Sequence, residues 1–457
     1  MPFPHEIFKA YDIRGVVDTT LTAEMMEQVG KAFGSEAIEQ GVHSMVLGWD
    51  GRLSGPRLAA MFARGVLSTG CNVIEIAQVP TPALYFATVT HCAGTGVQVT
   101  GSHNPPEYNG LKMMIAGSTL SGEAIQEIKQ RVLARRYCTG SGSLVHEDSL
   151  ARYRQAIVDD ITLARPLKLV IDCGNGVAGA VAPKIFKSLG CEVTELFCEV
   201  DGHFPNHHPD PSRLENLQDL IRAVGHEGAD FGMAFDGDGD RLGVVSADGS
   251  VIWPDRQMVL FSREILNSTP GAEIIFDVKC SQILPRTIRE NGGKPTMWKT
   301  GHAFIKNRLR ESGAVLAGEM SGHIFFNDRW GGFDDGIYAG ARLCELLASR
   351  PESPWEVFAA LPDTVNTPEL RLDMEEGAPH ELVRELIDLA RFDGATVNTI
   401  DGVRADFEDG FGLIRASNTT PTLILRFEAD SPGQLEFIQE QFRSLIRSAR
   451  PSLPIPF

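Results

Sequence analysis

The sequence predicts an α/β protein built from several similar units and closed by a smaller α+β domain, and three observations predict it. A short β-branched run ending in Asp, a helical pattern and a closing glycine occur in that order three times. Each occurrence is followed by one more apolar strand that runs into a polar loop. Beyond Pro362 the pattern changes to short alternating strands with two helical stretches. Strand, helix, glycine and strand in succession mark a βαβ unit with a parallel sheet, whereas alternation marks an antiparallel sheet.

The first unit runs Met45-Val-Leu-Gly-Trp-Asp50, a helical stretch, then Thr69-Gly-Cys-Asn-Val73. The second runs from Leu169-Val-Ile-Asp172 to Leu189-Gly-Cys-Glu-Val193, and the third from Ile274-Ile-Phe-Asp277 to Asn291-Gly-Gly. A helix of about 15 residues is expected in each. The extra strands are Gly96–Thr100, Phe231–Phe235 and Ala314–Ala317. Ligands of open α/β sheets bind beyond the carboxyl ends of strands, so the three loops that follow are candidate pieces of one site. In the last part, Leu370–Asp373, Ala395–Asn398, Gly412–Arg415 and Leu423–Phe427 read as strands, and Ala378–Phe392 and Gln434–Ile446 as helices. Domain limits of 1–150, 151–250, 251–362 and 363–457 follow, with Thr139-Gly-Ser-Gly-Ser143 and Pro351, Pro354 and Pro362 marking connecting loops.

Composition narrows the class. The chain has 457 residues, 43% of them hydrophobic and 22% charged, with a formal charge of −18. Such a chain buries a core, and its acidity argues against nucleic acid, whose binding rests on neutralised phosphates. No apolar run is long enough for a membrane span, and Met-Pro-Phe-Pro-His-Glu lacks the basic and apolar regions of a signal peptide. Eight cysteines without a C-x-x-C pair speak against a zinc site or a disulfide scaffold. A cytoplasmic protein is expected.

The loops carry the chemistry. Asp236, Asp238 and Asp240 alternate with glycines directly after an apolar strand. Three adjacent carboxylates persist best when a cation neutralises them, and oxygen-only ligands select a hard ion such as Mg2+. An EF-hand loop is excluded because Arg241 and Ala247 stand where its Gly and Glu belong, and a solvated acidic turn is the plain alternative. Thr100-Gly-Ser-His-Asn-Pro-Pro106 offers Ser102 as an oxygen nucleophile. Alone it reads equally as a turn residue or helix cap, and the hydrolase elbow fails because Asn104 replaces its second glycine. A phosphoserine there adds charge and oxygens able to complete a shell begun by three Asp. Gly318-Glu-Met-Ser-Gly-His323 places Glu319 and Ser321 where they suit vicinal sugar hydroxyls and His323 where it moves a proton, or it is a loop with a helix cap. Arg415-Ala-Ser-Asn-Thr-Thr-Pro421 reads as a phosphate cradle, or as a cap box before a strand.

Taken together with Ala10-Tyr-Asp-Ile-Arg-Gly15, these loops resemble, in order and over the whole chain, the α-D-phosphohexomutase family, most closely its bacterial phosphomannomutase/phosphoglucomutase branch. The resemblance implies three related α/β domains and a fourth like the TATA-binding protein around a central cleft. It implies that Ser102 is a phosphoserine that also ligates the metal, and that Asp236, Asp238 and Asp240 are Mg2+ ligands. Arg14, Lys112 and Arg241 match cationic residues around the transferring group, and Tyr11, His103 and Asn104 lie in the matching substrate loops. Glu319 and Ser321 match the pair that holds the sugar's 3- and 4-hydroxyls, and Lys279, His302 and His323 match further active-site positions. Arg415, Ser417, Asn418 and Thr419 match the loop gripping the phosphate not being transferred. One departure is Gly331 in Trp330-Gly-Gly-Phe333, where a bulky residue is expected.

The implied activity is an isomerase-type intramolecular phosphotransfer in carbohydrate metabolism. Phosphoserine 102 phosphorylates a hexose 1-phosphate, the 1,6-bisphosphate (also the activator) reorients, and Ser102 recovers a phosphoryl group from the other end. Mg2+ acts as Lewis acid, Lys112 or His323 moves the hydroxyl proton, and a lid domain after Pro362 excludes water. Glucose and mannose differ at C2 while the assigned contacts are at C3 and C4, so both are expected substrates. Phosphoglucosamine mutase ranks lower, since that branch carries Gln where Met320 stands. Two rivals are a haloacid-dehalogenase-type phosphotransferase, with Asp236 as nucleophile, and a non-enzymatic sugar-phosphate sensor. A monomer or weak dimer is expected.

Overall fold

In a computed structural model of the protein, residues 3–457 are described. Strands β1 (Ile13–Val16), β2 (Ser44–Trp49), β3 (Asn72–Gln78), β4 (Gly96–Val99), β5 (Tyr108–Ile115), β6 (Ser118–Thr119) and β7 (Leu144–His146) form a seven-stranded sheet in the order β1-β5-β4-β2-β3-β7, with β6 on β5. β2 pairs in parallel with β3 and β4, while β5 runs antiparallel to β4 and β1. Helices α1 (Ala23–Glu39), α2 (Gly55–Leu67) and α3 (Thr81–His91) connect its strands. Met26, Val29, Phe33, Leu58, Phe62 and Val66 from α1 and α2 meet Met45, Leu47, Val97 and Leu111 from the sheet in one core. This is the apolar stripe of each helix buried on the sheet face.

A four-stranded sheet follows, ordered β11-β10-β8-β9, from β8 (Lys168–Asp172), β9 (Glu192–Leu196), β10 (Phe231–Phe235) and β11 (Leu242–Ser246). β10 is buried throughout, as a strand covered on both faces must be. Next come a parallel pair, β12 (Glu273–Asp277) with β13 (Lys294–Trp298), and a hairpin, β14 (Leu316–Gly318) with β15 (Ile324–Phe326). The last sheet comprises β16 (Val365–Asn366), β17 (Leu370–Asp373), β18 (Thr396–Asn398), β19 (Val403–Phe407), β20 (Gly410–Ala416) and β21 (Thr422–Ala429), all antiparallel. The helices Ala378–Leu389 and Pro432–Ala449 cover it through Leu382, Leu386, Ile438 and Phe442. The α/β organisation with a C-terminal α+β domain is therefore present.

The repeat is visible in detail. Gly70, Gly190 and Gly292, which close the three helices, all have positive φ (94°, 94° and 75°), the left-handed turn that glycine adopts without a Cβ clash. In the first two units the Asp at the end of the first strand also recurs in kind. Asp50 Oδ1 accepts the Arg52 N–H at 2.9 Å, and Asp172 Oδ1 accepts the Gly174 N–H at 2.9 Å. The expected helix length is a correction: the second and third helices are only Ala182–Ser188 and Ile283–Glu290. In the second, Gly176 and Gly179 flank or sit in a 3-10 turn (Val177–Ala180), and Pro183 sets the start of the α-helix.

The chain divides into two compact units. One holds the chain up to Gln257 together with His302–Ala360, and the other holds Met258–Gly301 with Leu361–Phe457. Within the second, the fully buried Arg404 donates to the carbonyls of Val278 (2.6 Å) and Cys280 (2.7 Å), tying the β12 end to β19. Among the described residues, no helix is long and apolar enough to cross a membrane.

Candidate active site

The loop between β4 and β5 carries Ser102. Thr100 Oγ1 donates to Asp50 Oδ2 (2.8 Å) and accepts the Ser102 N–H (2.8 Å), while Gly101 N–H also reaches Asp50 Oδ2 (3.0 Å). The buried guanidinium of Arg52 donates to the carbonyls of Ser102 (2.9 Å), Tyr108 (2.9 Å), Asn104 and Pro105. A Cβ on residue 101 would lie 2.2 Å from Arg52 Nε, so only glycine fits. These bonds hold Ser102 at φ +46°, a left-handed conformation that costs a serine about 1 kcal/mol or more and persists where the surroundings over-determine it. Replacing Arg52 by Lys keeps the charge but cannot serve four carbonyls. Chemical denaturation of Arg52→Lys should show a loss of about 1–3 kcal/mol.

Ser102 Oγ donates to Asp236 Oδ2 at 2.9 Å across 134 positions of sequence, and lies 3.0 Å from His103 Nδ1. The close approach needs Gly237, where a Cβ would stand 2.3 Å from the Ser102 carbonyl oxygen. Asp236 Oδ1 accepts three backbone N–H groups, from Gly239 (3.1 Å), Asp240 (3.1 Å) and Arg241 (3.2 Å). Asp238 Oδ2 accepts from Lys112 Nζ (2.7 Å) and Thr81 Oγ1, and lies 3.1 Å from Thr100 Oγ1. Lys112 also holds Asp240.

Asp236, Asp238 and Asp240 are completely buried. Burial, then repulsion from Asp238 and Asp240, pushes the Asp236 carboxyl well above the usual range. Burial also acts on Asp238, but Lys112 outweighs it and holds that carboxyl below its usual value. Burial pulls the Lys112 ammonium down, and the facing carboxylates, Asp238 first, more than reverse this. One lysine does not balance three carboxylates. Ligand atoms of the three lie within 4.8 Å of one another, and Asp238 Oδ1 and Asp240 Oδ1 are buried without a hydrogen-bond partner. An all-oxygen set with orphaned acceptors fits a hard divalent cation.

Basic and aromatic groups surround this cluster. Arg14 bonds Asn104 Oδ1 (2.6 Å) and Asp12 (2.6 Å), and reaches the Gly101 carbonyl. Arg241 Nε donates to His323 Nε2 at 3.1 Å, so His323 carries its proton on Nδ1, which faces Asp334 Oδ2 at 3.1 Å and Asp240 Oδ1 at 3.5 Å. Lys306 Nζ holds Asp334 (2.7 Å) and lies 3.1 Å from His302 Nδ1. Burial, then the Lys306 charge, keeps His302 well below its usual pKa, while burial and the Arg241 charge do the same to His103. The Tyr11 ring meets His302 edge-on at 5.1 Å. In the loop after β14, Ser321 Oγ donates to Glu319 at 2.9 Å.

Thus Tyr11, Arg14, Ser102, His103, Asn104, Lys112, Asp236, Asp238, Asp240, Arg241, His302, Glu319, Ser321 and His323 all belong to one compact unit. Lys279, Arg415, Ser417, Asn418 and Thr419 belong to the other. There Lys279 pairs with Glu369 at 3.1 Å, Arg415 with Asp401 at 3.0 Å, and Asn418 donates to the Thr300 carbonyl at 3.2 Å. Ser417 Oγ accepts the N–H groups of Thr419 (3.4 Å) and Thr420 (3.3 Å), so those donors close the turn on itself. Sequence reasoning missed Asp50, Arg52, Thr81 and Lys306, and gave Asp334 a place only as a later partner in the rival haloacid-dehalogenase-type reading. The one signal for the first two was Asp50-Gly-Arg52 directly after β2.

Comparison with known proteins identifies relatives along the whole chain. Four domain profiles match: phosphoglucomutase/phosphomannomutase alpha/beta/alpha domain I at residues 5–137, domain II at 151–249, domain III at 253–365, and the C-terminal domain at 369–445. The chain is 50% identical over 454 residues to a phosphomannomutase/phosphoglucomutase of Pseudomonas aeruginosa, covering 99% of this chain and 98% of that one. It is 54% identical over 447 residues to a phosphoglucomutase of Neisseria gonorrhoeae, covering 97% of each. A crystal structure of a phosphoglucomutase/phosphomannomutase family protein from Burkholderia thailandensis superposes with a TM-score of 0.94, at 52% identity and 99% coverage of both chains.

Proposed function

This chain belongs to the phosphoglucomutase/phosphomannomutase family, and from that premise we infer that it interconverts hexose 1-phosphates and hexose 6-phosphates of glucose and mannose. The observation that carries the mechanism is Ser102 Oγ at 2.9 Å from Asp236, a nucleophilic oxygen on a buried acidic trio. Phosphorylated Ser102 gives its phosphoryl group to the free hydroxyl of a hexose 1-phosphate, and the hydroxyl proton leaves as the new P–O bond forms. The resulting 1,6-bisphosphate turns end over end, and Ser102 takes back the phosphoryl group from the other position. Lys112 or His323 is assigned to move the proton, and Arg14 and Arg241 to stabilise the transferring charge.

Asp236, Asp238, Asp240 and a Ser102 phosphate oxygen would hold Mg2+, which supplies Lewis-acid stabilisation of the phosphoryl group. Tyr11, His103, Asn104, Lys279 and His302 are assigned to the substrate. Glu319 and Ser321 are assigned to the sugar's 3- and 4-hydroxyls. Arg415, Ser417, Asn418 and Thr419 are assigned to the distal phosphate, whose oxygens would take over the N–H groups that Ser417 now occupies. Hydroxyl contacts that ignore C2 support both epimers as substrates. We place the domain limits at 1–150, 151–250, 251–362 and 363–457, and the protein in the cytoplasm as a monomer or weak dimer.

A coupled assay on glucose 1-phosphate and on mannose 1-phosphate, with and without the matching 1,6-bisphosphate, tests the reading. Turnover of both, stimulated by the bisphosphate, is expected. Turnover of glucosamine 1-phosphate in preference to either, or of none, would overturn it.

A further inference from the structure

Behind the acidic trio lies an imidazole–carboxylate pair with no part in the phosphoryl-transfer steps. β8 ends in Asp172, whose fully buried carboxylate faces His207 Nε2 at 2.9 and 3.1 Å. The other ring nitrogen, Nδ1, is 3.0 Å from the carbonyl oxygen of His208. Both partners only accept, so both bonds form together only when the ring carries two protons. The His208 oxygen also accepts the Asp210 N–H at 2.8 Å, so the ring fastens the turn His208-Pro209-Asp210 from outside.

Two contacts join that turn to the Asp236–Arg241 loop. The Pro209 carbonyl accepts the Gly237 N–H (3.2 Å), inside the Asp236–Arg241 loop, and the Asp210 carboxylate lies 3.9 Å from Arg241 Nη1. We propose that His207, as an imidazolium paired with Asp172, is a positioning residue that holds this turn against the Asp236–Arg241 loop, and that losing its proton slackens the loop and Arg241 together. The inference rests on the mutase reading of that site.

The surroundings agree. Burial pulls the His207 ring down, but the hydrogen bond and charge of Asp172 outweigh it and lift the ring above the ordinary histidine value, with Asp219 of the helix Gln218–Glu227 adding to the lift. The neighbouring His208 is pulled down by burial, and the Phe197 ring meets His207 edge-on at 5.4 Å. A raised pKa fixes the sign. The latch is complete below the ordinary histidine pKa of about 6.5 and is lost as the pH rises through the higher folded-state value.

The test uses the full chain with magnesium added and compares wild type with His207→Gln across that pH range. His207→Gln should turn over about tenfold more slowly than wild type at the acidic end, through kcat more than KM, and should lack an alkaline decline that wild type shows. Equal kcat and an unchanged pH profile would overturn the proposal. Should the variant not fold, NMR of the wild type decides: the His207 ring and the Gly237 amide should titrate with one midpoint above the ordinary value. A ring that is neutral throughout, or an amide that ignores it, refutes the latch. A wild type that turns over no sugar phosphate at any pH counts against the mutase reading instead, and the NMR titration still judges the latch.

Discussion

Replacing Ser102 by alanine should lower kcat by about 10^4-fold or more, the scale on which losing a covalent nucleophile from a concerted set of groups costs. The variant keeps the fold, because the φ of +46° at residue 102 is imposed by Arg52, Thr100 and Asp50 rather than by the hydroxyl. Intact mass supplies the second readout. Wild type should carry a species about 80 Da heavier, the mass of an added phosphoryl group, and the variant should not. A haloacid-dehalogenase-type chemistry makes the opposite prediction, with labelling at Asp236 surviving the substitution. The environment of Asp236 speaks against that rival, since one carboxylate oxygen accepts three backbone N–H groups and the other accepts Ser102 Oγ. Both oxygens are spoken for as ligands rather than aimed outward for attack. Persistent labelling in Ser102→Ala would refute the assignment whatever the kinetics.

What the sequence discloses of this site depends on where each residue does its work. Ser102, Asp236, Asp238, Asp240, Glu319 and His323 stand in polar loops right after apolar strands of three different sheets, and that placement is readable because ligands of α/β sheets bind beyond the carboxyl ends of strands. The three closing glycines were readable for a similar reason, since a left-handed residue after a helix has few substitutes. Arg52 was not. Its work is to serve carbonyls some fifty positions away in sequence, and no periodicity announces such a bond. Lys306 escaped likewise, because it is meaningful only as the partner of Asp334 across a fold that local pattern does not encode. The second helix is shorter than its pattern suggests because an apolar stretch with Gly and Pro near its start keeps the helical spacing where the backbone is a 3-10 turn. The loop at Arg415 was legible as polar and turn-forming, but not the fact that Ser417 consumes the N–H groups offered to a phosphate.

Lys112→Met should destabilise the metal-free protein by about 3–5 kcal/mol, the cost of stripping a buried charge of its partner. Lys112 contacts both Asp238 and Asp240, and all three side chains are nearly or wholly inaccessible to water. Methionine fills a similar volume, so the loss reports charge rather than a cavity. The same argument makes the deficit reversible. A divalent cation bound by the carboxylates replaces the missing positive charge, so magnesium should raise the stability of the variant more than that of wild type. Binding to the folded state alone stabilises by RT ln(1 + [L]/Kd), and the Kd should fall when a competing ammonium is removed from the nest. Denaturant unfolding of both proteins over a magnesium titration measures the difference directly. Recovery of stability without recovery of turnover would separate the lysine's electrostatic work from its part in moving the hydroxyl proton. A variant as stable as wild type without metal, or indifferent to magnesium, would mean that the acidic trio is balanced by something other than a cation.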